Sequence, residues 1–216
     1  MSLVIQRYNK IITNISDIKS SKPVNIIAIS KTFEIDHIRP LIDFGHSHFG
    51  ENKVQEAITK WTEIKKLKKE IKLHMVGKLQ SNKAKDAVKI FDYIHSLDNQ
   101  KLADSLVKHQ NNLDKKIKYF IQVNIGNEIQ KSGIPVNELD AFFTYCTKEN
   151  NLDIIGLMII PPNDNHPEKY FKSICELNNS LALKELSMGM SADYISAIKN
   201  GATFVRIGSS IFGTRS

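Results

Sequence analysis

The sequence is short of the residues that most often announce a function. It has two cysteines, one tryptophan and six prolines in 216 residues. Cys146 and Cys175 are too few for a disulfide framework or a cysteine metal site, and both fall in stretches with helical apolar spacing, where small thiols are commonly buried. A reducing, cytoplasmic compartment is the expectation. The opening MSLVIQRYNKIITNI turns polar too early for a secretory leader, and no apolar run approaches the ~20 residues of a membrane span. Arginine is scarce too: only Arg7, Arg39, Arg206 and Arg215 occur, although the formal net charge is +7. The lysines scatter over nearly every helical stretch, and the densest group, Lys65, Lys66, Lys68 and Lys69, is flanked by Glu63 and Glu70. That pattern reads as a solvated helix end, so neither nucleic acid nor membrane is expected as a partner.

What the chain does have is apolar periodicity. Hydrophobic residues make up 41% and charged residues 25%, an ordinary globular balance, and no repeat, low-complexity tract or linker divides it. One domain over residues 1–216 is expected. Val4, Tyr8, Ile11, Ile12, Ile15 and Ile18 recur at helical spacing and predict an amphipathic N-terminal helix. From residue 26 onward strand and helix signals alternate, with strands predicted at 26–30, 46–49, 72–76, 93–97, 119–125, 153–160, 185–188 and 203–207. Eight short strands with helices between them imply parallel pairing by crossover. The fold class expected is α/β: a single (β/α)8 TIM barrel with an extra N-terminal helix.

Such a barrel carries its site at the C-terminal ends of its strands. Reactive residue types gather there: Ser30-Lys31-Thr32 after the first strand, Gly50-Glu51-Asn52 after the second, Asn124 after the fifth, Ser187-Met188-Gly189-Met190-Ser191 after the seventh and Gly208-Ser209-Ser210 after the eighth. Lys31 follows the apolar run IIAIS, where partial desolvation favours the neutral amine that attacks an aldehyde to form a Schiff base. A lysine simply reaching solvent is the plain alternative. Arg206 interrupts the apolar strand ATFVRI, and a buried guanidinium needs acceptors. Gly208-Ser209-Ser210 reads as a turn opening a short helix, whose N–H groups together with the hydroxyls of the preceding loop suit a phosphate. Ser191 could instead cap a helix beginning near Asp193, and Gly208 could merely permit a turn. A phosphate site, an arginine able to face a ring nitrogen and a rim lysine together describe pyridoxal 5′-phosphate.

The blocks IIAISKT, HFGENKVQEA, HMVGKLQSNK, QVNIGNEIQKSGI, GLMIIPP and LSMGMSADYISAIKNGATFVRIGSSIFGTR run nearly end to end. They resemble the YggS/PROSC family of pyridoxal-phosphate-binding homeostasis proteins, related to the barrel domain of bacterial alanine racemase. The resemblance implies that Lys31 is the Schiff-base lysine, that Arg206 faces the pyridine nitrogen, that Ser187, Ser191, Gly208 and Ser209 hold the phosphate and that Asn52 lines the ring pocket. Ser209 stands where the family usually has threonine, which keeps the hydroxyl. Met75 and Val76 replace the more usual Phe-Ile pair. His74 either points inward near the cofactor or is a satisfied core histidine, and Lys131 is a candidate second amine at the mouth.

The function expected is carriage and storage of the cofactor in vitamin B6 homeostasis, without turnover. An arginine at the ring nitrogen weakens the electron sink, and the second, tyrosine base of alanine racemase comes from a further domain for which the chain, ending at Ser216, has no room. The expected protein is a monomer with at most transient contact with apo-enzymes that need the cofactor. A narrow amino-acid racemase is the alternative, and a class I aldolase using Lys31 without a cofactor is a third reading. No metal is expected.

Overall fold

The computed structural model describes residues 2–20, 22–128 and 130–214. Nine strands are found among them: β1 Asn25–Ile29, β2 His48–Glu51, β3 Lys72–Met75, β4 Tyr93–Leu97, β5 Lys118–Asn124, β6 Ile134–Pro135, β7 Asp153–Met158, β8 Glu185–Met190 and β9 Phe204–Ile207. All pairings are parallel. The order β4-β3-β2-β1-β9-β8-β7-β5 is closed by a further β4–β5 pairing, so eight strands form a barrel. The two-residue β6, not foreseen, pairs only with the end of β5.

Two boundaries moved in ways that matter for the site. The second strand begins at His48 rather than at residue 46, because the turn after helix α2 (Ile35–Asp43) runs on through Gly45, whose φ of +96° favours glycine, to an N–H of His46 bonded to Leu41 O. Gly50 and Glu51 therefore lie inside β2, and only Asn52 follows it. The strand expected to end at residue 188 runs on to Met190, so Ser187 lies well inside β8 and only Ser191 of that motif follows the strand.

Helix α1, Leu3–Ser16, starts where Ser2 Oγ accepts the N–H of Ile5, the usual relief of an orphan donor. It buries Val4, Ile5, Tyr8 and Ile11. Ile12, counted on that face from the sequence, is 41% exposed, and Ile18 lies beyond the helix. One core layer lies between the barrel and its helices, with Trp61, Phe49, Phe91 and Phe171 wholly buried. The barrel interior holds a separate, smaller cluster of Ile27, Ile29, Phe120, Met158 and Phe204. It is small because His74, His95, Ser187 and Arg206 are also buried. No helix among the described residues is long and apolar enough to cross a membrane.

Candidate functional site

At the C-terminal mouth of the barrel a cavity of about 590 Å³ is lined by Lys31 and Phe33 after β1, Asn52 after β2 and Val76 after β3. Ile160, Met190 and Ser191, after β7 and at the end of β8, and Arg206, Gly208 and Ser209, on and after the neighbouring β9, complete the lining. That volume suits a small organic ligand. Among the described lining residues, Lys31 and Arg206 are the only ones with a titratable side chain.

The Lys31 turn is held from behind. Ser30 Oγ donates to Glu51 Oε1 at 2.7 Å, and Lys60 Nζ, from helix α3 (Val54–Leu67), donates to Ser30 O at 2.9 Å and to Glu51 Oε1 at 3.0 Å. Trp61 Nε1 donates to the same oxygen at 2.9 Å, while Glu51 Oε2 is buried without a partner. Burial raises the Glu51 carboxyl above its ordinary range, against the pull of Trp61, Lys60 and Ser30. One turn along α3, Glu56 accepts the N–H of Thr32 and pairs with Lys60 at 3.0 Å. Burial pushes Glu56 upward too, but these partners outweigh it and its pKa is lowered. Thr32 itself sits at φ +67°, the left-handed region that a β-branched residue strongly disfavours. The backbone on both sides of Lys31 is thus fixed by one ionic cluster, against local strain.

The neighbouring wall, on β9, is built differently. Arg206 on β9 is 5% exposed. It donates from Nη1 to Ser187 Oγ and from Nη2 to Ile159 O, both at 2.8 Å. Burial lowers its pKa to about 10, so the guanidinium remains charged at neutral pH. Above it, Ser191 Oγ accepts the N–H groups of Gly208 at 3.3 Å and Ser210 at 3.4 Å, joining the loops after β8 and β9. It does not cap the helix at 194–199, whose first turn is reached through Asp193. Gly208 has φ −114°, open to any residue, and a Cβ there would meet nothing nearer than Ile29 at 3.4 Å. Neither turn geometry nor neighbouring protein atoms require that glycine, which leaves room for a ligand close to its backbone.

Of the eight residues singled out from the sequence, Lys31, Asn52, Ser191, Arg206, Gly208 and Ser209 line this one cavity. Ser187 and His74 do not. Both are fully buried beneath it, Ser187 between Arg206 and His95, and His74 between His48 and His95. Lys131 stands in the wall of an adjoining cavity of about 350 Å³ that shares Asn52, Val76 and Ile160 with the first. Its ammonium pairs with Glu128 at 2.6 Å and donates to Pro161 O at 3.0 Å. Reasoning from sequence assigned no role to Glu51, Glu56, Lys60, His48 or His95. The available signal for the histidines was that one falls at an inward position of each of three successive strands, His48, His74 and His95; Glu56 and Lys60, on helix α3, carried none.

Residues 7–216 match the family described as alanine racemase, N-terminal domain. The chain is 39% identical over 201 residues to a pyridoxal phosphate homeostasis protein of Aquifex aeolicus, covering 88% of this chain and 86% of that one. It is 36% identical over 207 residues to a protein of the same name from Haemophilus influenzae, covering 91% and 87%. Among solved structures, PipY of Synechococcus elongatus with PLP bound superimposes with a TM-score of 0.86 at 34% identity, covering 97% of this chain and all of that one.

Proposed function

The chain belongs to the alanine racemase N-terminal domain family, and we propose that it binds pyridoxal 5′-phosphate as a carrier and reservoir in intracellular vitamin B6 homeostasis. The observation that carries this reading is the pairing of Lys31 with Arg206 as the only titratable side chains on the described cavity wall. Lys31 would hold the cofactor covalently, its amine condensing with the aldehyde with loss of water. Arg206 turns a charged donor toward the ring. Ser191, Ser209 and the Gly208 backbone take the phosphate, and Asn52 lines the ring pocket. The room over Gly208 and the two N–H groups gathered on Ser191 Oγ fit a phosphate oxygen.

When bound, such a cofactor supplies an electrophilic imine carbon and an electron-accepting ring. Racemisation would also need a second proton-transfer group beside Lys31, and the described lining offers no histidine, tyrosine, cysteine or carboxylate. That lining supports carriage over turnover. Ser187 and His74, lying beneath the cavity, support Arg206 rather than touch the phosphate. Cys146 and Cys175 are free thiols, in keeping with a reducing cytoplasm.

The test is the absorbance spectrum of the purified protein loaded with pyridoxal phosphate, then borohydride reduction and peptide mass mapping. An imine band and a reduced pyridoxyl group on the Lys31 peptide are expected. A protein that cannot be loaded, or an adduct only on other lysines, overturns the reading. Incubation with alanine in deuterated water is expected to leave the α-proton unexchanged.

A further inference from the structure

Beneath Arg206 runs a line of polar side chains that ligand contact alone does not require. Ser187 Oγ, 2.8 Å from Arg206 Nη1, lies 2.8 Å from His95 Nδ1. His95 Nε2 lies 2.9 Å from His74 Nδ1, and His74 Nε2 lies 2.9 Å from His48 Nδ1. These residues come from β8, β4, β3 and β2, so the line crosses the barrel interior. Ser187, His95 and His74 are buried, whereas His48 opens onto a cavity of about 390 Å³ at the opposite mouth, beside Tyr8, Asn25 and His46.

The chemistry of one end fixes every proton along the line. A guanidinium has donors and no acceptor. Ser187 Oγ therefore accepts from Arg206; a hydroxyl oxygen could accept a second time, but the buried O–H then has no other acceptor among the described residues, so it goes to His95 Nδ1. His95 must carry its proton on Nε2, which donates to His74 Nδ1. His74 in turn donates from Nε2 to His48 Nδ1, and His48 is left with its N–H on Nε2 at the far mouth. Burial first, then the charge of Arg206 on His95 and of neighbouring histidines on His74, holds both rings well below the usual imidazole range and keeps them neutral. Stacking fixes their planes: His74 lies on Tyr93 with centroids 4.3 Å apart and His95 on Phe120 at 4.2 Å. The histidines form no cluster placed to hold a metal among the described residues. Nor does any carboxylate among those residues form a salt bridge with Arg206.

We propose that Ser187, His95, His74 and His48 are positioning residues for Arg206: a chain of aligned dipoles, lone pairs toward the guanidinium and N–H groups away from it, holding the cation without neutralising it. A carboxylate in their place would cancel the charge that the site turns toward its ligand. The inference rests on the ligand reading above for its purpose, but its structural content is independent of it.

The chain makes the far mouth felt at the site. His48 does not line the ligand cavity and is half-buried, so its replacement is tolerable where His95→Leu would strand Ser187 and Arg206 in the core. The experiment compares wild type, His48→Ala and His48→Asn, whose side-chain oxygen restores an acceptor near the Nδ1 position. Histidine tautomers are read by nitrogen NMR on protein without added ligand. Pyridoxal phosphate affinity and the absorbance maximum are then read on loaded protein.

Wild type is expected to show His48, His74 and His95 all protonated on Nε2. His48→Ala is expected to mix the tautomers of His74 and His95, move the absorbance maximum and weaken binding about three- to tenfold, the range of one lost hydrogen bond. His48→Asn is expected to restore all three readouts. A role confined to packing would lower stability without moving tautomers or spectrum, and that result overturns the proposal. So does an Nδ1-protonated or doubly protonated ring in the wild type at neutral pH. If wild type takes up no pyridoxal phosphate, the functional reading fails, while the tautomers of the three proteins still decide the chain.

Discussion

Lys31 and Arg206 face one cavity from neighbouring strands, β1 and β9, and their supports differ in kind. Behind Lys31 stands an ionic cluster: the buried carboxylate of Glu51, the Lys60 ammonium bridging it to Glu56, and backbone contacts at Ser30 and Thr32. Behind Arg206 stand neutral groups, a hydroxyl, a carbonyl and imidazoles. The difference follows from what each residue must do. Lys31 needs a fixed backbone in a strained turn and a side chain able to react, so the charges of Glu51, Glu56 and Lys60 hold the main chain on both sides of it. Arg206 needs a fixed side chain that keeps its charge, so dipoles orient it and, among the described residues, no carboxylate forms a salt bridge with it, Asp193 acting on it only at longer range.

The comparison breaks most sharply at the reactive end. Lys31→Ala removes the amine but none of the groups behind the turn, so covalent attachment should vanish while Arg206 and the Ser191 loop still hold the ligand reversibly. Dialysis after loading, with borohydride-trapped mass as the readout, is expected to leave no adduct. A trapped adduct of wild-type yield on another lysine would remove Lys31 from the centre of the site.

The ionic support should fail through its cation. Lys60→Met strands the Glu51 carboxyl, whose side chain is wholly buried. Breaking a buried pair from one side costs about 3–5 kcal/mol, readable by urea unfolding. The pH dependence has a definite sign. Glu51 is already raised by burial with Lys60 present, and without it the folded pKa rises further. Folding then takes up a proton, and stability is lost as pH rises from the unfolded value through the folded one. The variant should therefore be hurt more at pH 8 than at pH 5, and an equal penalty at both would mean that the carboxyl is not the group left uncompensated.

On the Arg206 side the loops above the guanidinium give a smaller effect. Gly208→Ala should change the stability of the ligand-free protein by no more than about 0.5 kcal/mol, since the backbone accepts any residue and the new Cβ has room. Pyridoxal phosphate affinity should nevertheless drop about tenfold, about 1.4 kcal/mol, because the added methyl enters the space left for the phosphate. Unchanged affinity in an equilibrium titration would place the phosphate elsewhere.

The fold was legible because period and punctuation agree: most barrel strands, such as NIIAI, KYFIQVN and FVRI, are short runs rich in β-branched or aromatic residues, and helical patterns lie between them. The site was legible where chemistry sits at strand ends, so Lys31, Asn52, Ser191, Arg206, Gly208 and Ser209 all reach one cavity. It was not legible where function depends on depth. Ser187 and Ser191 lie four residues apart in one motif, and only the extension of β8 to Met190 shows that one hydroxyl is under the arginine and the other above it. Strand register decides which of two neighbouring polar residues points inward, and a one-residue uncertainty reverses the answer. His48 and His95 escaped for the same reason. A histidine in a strand carries no mark of its partners until the barrel closes and sets β2, β3 and β4 side by side.

The finest distinction between the two walls lies at the rim of the ionic cluster. Glu56 keeps about a quarter of its side chain in solvent, at 26% exposure against none for Glu51, so its pair with Lys60 is screened and should contribute only about 0.5–1 kcal/mol. Glu56→Gln retains an acceptor for the Thr32 N–H but loses the charge. Its cost should shrink as sodium chloride is raised toward 1 M, where the screening length falls to about 3 Å. It should also vanish on acidification: the lowered pKa of Glu56 makes its contribution present above the unfolded carboxyl value and lost as pH falls through the folded one. The neutral chain behind Arg206 has no comparable term, so the His48→Ala penalty should be insensitive to salt over the same range. If both penalties respond alike, the division of the site into an ionic wall and a dipolar wall does not hold.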